Sequence, residues 1–78
     1  MDWKNRIDTD PAICGGRPRV KGTRLTVELL LGLKAAGWSE TQILENYPQL
    51  AADDLLAVYA FAQSLIEEER FVVMPHAA

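Results

Sequence analysis

Residues 13–34 read ICGGRPRVKGTRLTVELLLGLK, and the local geometry changes midway, at Thr26. Before Thr26 the chain turns. Gly15-Gly16 marks a sharp bend, and Pro18 lacks the N–H that a central strand needs. Val20-Lys21-Gly22-Thr23-Arg24-Leu25 reads as a tight reversal in which Gly22 takes a positive φ. After Thr26 the chain coils. Val27, Leu30, Leu31 and Lys34 follow the i, i+3, i+4, i+7 spacing of one helix face, and Thr26 is placed to cap it.

Towards the N-terminus, residues 3–7 (WKNRI) read as a short strand, and Asp8-Thr9-Asp10-Pro11 as a turn whose side chains bond local backbone. Towards the C-terminus, Gly37 closes the first helix as a C′ glycine. Ser39-Glu40-Thr41-Gln42 fits a capping box that opens a second helix, with Ile43, Leu44 and Tyr47 on its apolar face. Pro48 ends that helix. A longer third helix opens at Ala52, with Asp53 and Asp54 in the first turn, where the helix dipole favours negative charge. The expected fold is mainly α and forms one domain. A short β-hairpin-like arm (1–25) precedes a three-helix core of the helix-turn-helix kind (26–70, with helices at 26–36, 39–47 and 52–70) and a tail (71–78).

A chain of 78 residues hides only about 60–65% of its unfolded surface. With 49% hydrophobic residues it has apolar surface to spare for a subunit interface. Cys14 is the only cysteine, so no internal disulfide forms; the polar N-terminus lacks a signal-peptide core, and no apolar run is long enough to span a membrane. The expected location is the reducing cytoplasm. Charge is divided unevenly. Residues 1–25 carry six basic and three acidic side chains, while residues 26–78 carry two basic and eight acidic, for a net −3. A basic surface that can meet nucleic acid and an acidic one that cannot follow from this split.

On a helical wheel, Asp53, Ala57, Ala60, Ser64, Glu67 and Glu68 take one side of the third helix. Leu55, Leu56, Val58, Tyr59, Phe61, Ala62, Leu65 and Ile66 spread over roughly 220°, against the ~100° a surface helix usually buries. Either this helix is central to the core, or part of it faces another chain. The candidate partner interface comprises Trp3, Leu56, Tyr59, Phe61, Ile66, Phe71, Val72 and Val73, with a homodimer or a second protein as its occupant. Trp38, between two helices, reads as a core wedge.

Arg17, Arg19, Lys21 and Arg24 are the candidate DNA-binding residues. The stretch is not a nucleotide P-loop: five residues separate Gly16 from Gly22, the order is Lys-Gly-Thr, and Pro18 removes a phosphate-binding N–H. The third helix is a poor major-groove reader, because it opens on two aspartates and its first two turns carry no Arg, Lys, Asn or Gln. Any DNA contact therefore falls to the arm. Cys14 and His76 are too few for a structural zinc site and have no orienting group for a catalytic pair. Asp8 and Asp10 read as turn caps rather than an acid–base pair. No catalytic constellation emerges, and neither an enzyme, a metal nor a cofactor is expected.

The run Ile13-Cys14-Gly15-Gly16-Arg17-Pro18, Val20-Lys21-Gly22-Thr23-Arg24, together with Ile7-Asp8, Asp10-Pro11, Val27, Ala36-Gly37-Trp38, Ile43 and Tyr47-Pro48-Gln49-Leu50, resembles the bacterial domain of unknown function 433 family over roughly residues 4–63. The resemblance implies a homeodomain-like or winged-helix-like core and a VapB-type antitoxin. Such a protein would be partnered with a PIN-like ribonuclease toxin and would bind its own operator DNA. One departure is Ala51, where the family often has Thr or Ser to cap the third helix; its loss implies about 1 kcal/mol of missing capping.

Overall fold

The structure, a computed structural model, describes residues 1–69. The expected tail, with Phe71, Val72 and Val73, lies outside the described residues. The protein is mainly helical, with three helices and a short two-strand antiparallel sheet near the N-terminus. Strand β1 is Ile7–Asp8 and β2 is Arg19–Val20; helices α1, α2 and α3 are Val27–Ala35, Glu40–Asn46 and Ala52–Glu69.

The strand expected at 3–7 is confined to its end. Residues Trp3–Asn5 instead form one 3-10 turn. The Asp2 carboxylate accepts from Lys4 N at 3.0 Å and Arg6 N donates to Trp3 O at 2.9 Å. A side-chain cap two residues back thus turns backbone that sequence alone reads as extended. The sheet pairs Ile7 with Val20 and Asp8 with Arg19. On the other side of β2 the chain comes back: Val20 N donates to Leu25 O at 3.0 Å and Val27 N to Pro18 O at 3.0 Å, with a bridge between Arg19 and Thr26. Residues 18–20 are therefore held between two neighbouring segments. Gly22, at φ 79°, makes the reversal between them.

The helices begin and end where local chemistry demands. Thr26 Oγ1 accepts from Leu29 N at 3.0 Å. At the end of α1, Gly37 has φ 97°, its N–H donates to Lys34 O, and Trp38 N donates to Leu33 O, which is a Schellman closure. Ser39 and Gln42 then exchange both capping-box bonds, at 2.7 and 3.1 Å. Only Gly37 and Trp38 separate one closure from the next cap. Ala51 leaves α3 with half a box: Asp54 Oδ2 accepts from Ala51 N at 2.8 Å, but no hydroxyl returns the bond.

Leu30 of α1, Ile43 of α2, and Leu55 and Val58 of α3 are the largest fully buried side chains, and they bind the three helices together. Ile7, Val20 and Leu25 fix the hairpin beneath them. Trp3, Leu33, Trp38, Tyr47 and Phe61 are half-buried around this centre, so Trp38 packs against the core as a wedge between helices should. On α3 the buried side differs from the wheel expectation. Ala57 is completely buried rather than on the polar side, while Leu56, part of the apolar arc and of the candidate partner set, is 50% exposed. A methyl group lets a neighbouring element close on the helix axis, and that turns the helix so that Leu56 faces out.

Ala51→Ser completes the capping box of α3, and it should raise stability by about 0.5–1 kcal/mol, read as a higher urea midpoint at unchanged m-value.

Candidate functional site

The four arm cations do not form one surface. Arg19 is buried, 9% exposed. Its Nε lies 3.1 Å from Asp8 Oδ1 without an aligned hydrogen bond, and its Nη1 donates to Thr23 O at 2.9 Å. It is part of the hairpin's frame and is not available to an outside phosphate, which corrects its assignment as a DNA contact. Asp8 is correspondingly the partner of Arg19 rather than a turn cap. Asp10 does cap, accepting from Ala12 N at 2.9 Å. Arg17 is exposed but forms an ion pair with Glu28 in the first turn of α1. Lys21 and Arg24 are exposed on the reversal itself. Thr23 holds that reversal closed: its hydroxyl donates to Val20 O at 2.8 Å and accepts from Leu25 N at 3.0 Å. The base of the arm is pinned by Cys14, whose Sγ approaches Arg24 O at 3.5 Å. Cys14 has φ 55°, a left-handed conformation that non-glycine residues rarely take. The outer hairpin thus presents Lys21 and Arg24, three residues apart, on a braced turn, with Arg17 held in reserve by a surface ion pair worth at most about 1 kcal/mol.

The expected partner residues divide as well. Trp3 and Phe61 face each other within the chain, edge to face, with ring centroids 4.8 Å apart. They are half-buried and serve first to dock the N-terminal turn on α3. Tyr59 is half-buried, and its hydroxyl donates to Glu40 Oε2 at 2.9 Å, tying α3 to α2. Burial, and then the Glu40 carboxylate, raise the Tyr59 pKa to about 12. Leu56 and Ile66 remain exposed, at 50% and 57%. Leu65, absent from the expected set, joins them at 46%. It lies four residues after Phe61 on the side of α3 that packs inward, so its position on the core stripe hid its exposure.

One structural anchor was not legible in the sequence. Arg6 reaches across 48 residues to Asp54, Nη1 to Oδ1 at 3.0 Å, and its Nη2 lies 3.6 Å from Asp53. Asp54 is 8% exposed, so this carboxylate serves both α3's first turn and the N-terminal segment. The first-turn aspartates that argued against α3 as a DNA reader are thus partly neutralised inside the fold. Among the described residues there is no cavity, and no group of three His, Cys, Asp or Glu side chains is placed to hold a metal ion. No helix among them is long and apolar enough to cross a membrane.

Residues 7–62 match the family described as "Protein of unknown function (DUF433)". The uncharacterized protein y4eO of Sinorhizobium fredii is 39% identical over 61 residues, covering 76% of this chain. The chain spans only 28% of that relative's length. A crystal structure of a DUF433 member protein from Anabaena variabilis superposes with a TM-score of 0.77 at 34% identity, covering 83% of this chain and 64% of that one.

Two measurements separate frame from surface. Arg19→Ala strands the Asp8 carboxylate and opens the hairpin; because Asp8 is itself about one-third exposed, the loss should be about 2 kcal/mol, below the cost of a fully buried pair. Arg24→Ala should stay within about 0.5 kcal/mol of wild type in the same urea titration. In alkaline titration, tyrosinate absorbance should include a step near pH 12 that Tyr59→Phe removes. The raised pKa means the folded state keeps the phenolic proton longer than the unfolded chain. This contribution is therefore complete below about pH 10 and is lost as pH rises towards 12.

Proposed function

The chain belongs to the DUF433 family, whose description assigns no role, and from its own surfaces we propose that it is an antitoxin-like binding module of a bacterial toxin–antitoxin pair. In this reading it is a binder, not a catalyst, and works in the cytoplasm. The exposed apolar positions of α3 hold a cognate PIN-like ribonuclease toxin, and the chain is a homodimer. The core is a homeodomain-like helix-turn-helix in which the hairpin, not α3, meets the operator. Lys21 and Arg24, with Arg17 once it leaves Glu28, lie on operator phosphates and so repress the operon.

The observation that carries the reading is the set of half-exposed leucine and isoleucine side chains on one helix: Leu56, Leu65 and Ile66. A domain this small cannot spare such surface without loss of stability, so a protein partner is the natural occupant. The VapB-type likeness of the family motif supports a toxin as that partner. A second reading, a stand-alone dimeric module, draws support from the ion pairs that Arg17 and Arg19 make within the chain, which occupy half of the arm's cations.

Purification of the chain expressed with its neighbouring reading frame distinguishes the two. A stoichiometric companion whose ribonuclease activity is silenced in the complex supports the antitoxin reading; the chain alone as a dimer supports the second. For DNA, log K for an operator duplex against log salt should lose about 2 units of slope in Lys21→Ala/Arg24→Ala, and an unchanged slope removes the hairpin from the interface.

A further inference from the structure

We infer that the last two turns of α3, with Leu65 and Ile66 bordered by Glu67 and Glu68, form a docking face for a basic protein surface that offers an apolar slot. The inference rests on the reading of the chain as a binding module, but not on the partner being a ribonuclease.

The face begins where the cover given by the described residues ends. The inward stripe of α3 runs through Asp54, Val58 and Phe61 to Leu65, at helical spacings of four, three and four. Val58 is fully buried, Phe61 lies against the edge of Trp3, and Leu65, one turn further, is 46% exposed. Trp3 covers Phe61, one turn short of Leu65. Ile66, beside Leu65, is 57% exposed. An apolar stripe that continues past the cover given by the described residues marks an interaction site.

Charge selects the occupant. The C-terminal end of a helix already carries partial negative charge from its unpaired carbonyls. Glu67 and Glu68 add two carboxylates there, and the last turn holds no basic residue. This is the wrong sign for an isolated helix, and cations brought by a partner reverse the penalty. A second copy crossing at Leu65 and Ile66 would bring two such acidic ends together and repel. Of the exposed cations among the described residues, Arg17, Lys21 and Arg24 belong to the arm and its reversal and Lys4 to the N-terminal turn; none lies on α3.

The test uses the full chain with isotope-labelled leucine and isoleucine methyls. Its probes are two synthetic amphipathic helical peptides of about five turns, one of leucine and lysine, the other of leucine and glutamate. The leucine–lysine peptide should shift the Leu65 and Ile66 methyls and bind less tightly as salt rises; the leucine–glutamate peptide should not bind. Glu67→Lys/Glu68→Lys should weaken the first peptide about tenfold or more, while the changed charges favour the helix dipole and leave circular dichroism intact. Leu65→Ser/Ile66→Ser should abolish the methyl response's parent site and the binding with it. Equal binding of both peptides, or no binding, overturns the inference. So do a concentration-dependent doubling of mass that buries these methyls, which gives the face to a second copy, and nuclear Overhauser contacts from Leu65 to Phe71 or Val72, which give it to the chain's own tail. Failure here alongside a stoichiometric companion in purification leaves the binding-module reading standing and moves the contact elsewhere.

Discussion

A guanidinium can be buried in a small sheet only if its charge is met there. Arg19 meets that condition with Asp8 on the neighbouring strand, an ion pair without an aligned hydrogen bond, and its Nη1 donates to the Thr23 carbonyl across the reversal. Those two contacts fix three things: the register of β1 on β2, the closure of the Val20–Leu25 turn, and the path that delivers Thr26 to the start of α1. Pro18 fits this frame because its carbonyl is the group in demand, accepting from Val27, and its missing N–H is not needed. The same burial divides the arm's charge: one arginine becomes structure, and Lys21 and Arg24 are left facing outward.

The parts of the fold set by near neighbours were legible in the sequence. Gly37 closes α1, Ser39 and Gln42 cap α2, and Gly22 turns the hairpin because each acts on backbone within a few residues. What was not legible depends on distance or on size. Trp3–Asn5 turns rather than extends because Asp2 caps it, a competition that strand propensity does not register. Ala57 looked polar-sided on a wheel because alanine is small, and smallness is what buries it. The partners of Arg6 and Arg19 were invisible because ion pairs across a fold leave no periodic trace. The candidate site inherits this. A count of cations in GRPRVKGTR finds four; the structure leaves two without an ion-pair partner among those described.

Two surfaces of opposite character emerge on one small scaffold, a braced turn with exposed cations and a helix end with exposed leucine, isoleucine and glutamate. They are built differently. The hairpin is rigid in register, with side-chain bonds from Thr23 and Arg19 to its backbone, which suits positioning against a regular lattice of phosphates. The end of α3 exposes Leu65 and Ile66 among the described residues, which suits a partner that supplies further packing.

The Arg6–Asp54 and Trp3–Phe61 contacts join the two ends of the described chain. During synthesis, the N-terminal turn leaves the ribosome long before its partners on α3 exist. The α1–α2 unit, closed and recapped across two residues, can form while translation continues. The turn at Trp3 and the salt link at Arg6 must wait for α3, so contacts of residues that precede α1 form only after α3 has been made. Until then, a tryptophan and the inward stripe of α3 are uncovered, and the interval between the emergence of α3 and the docking of Trp3 is when this apolar surface is most open to solvent and to other chains.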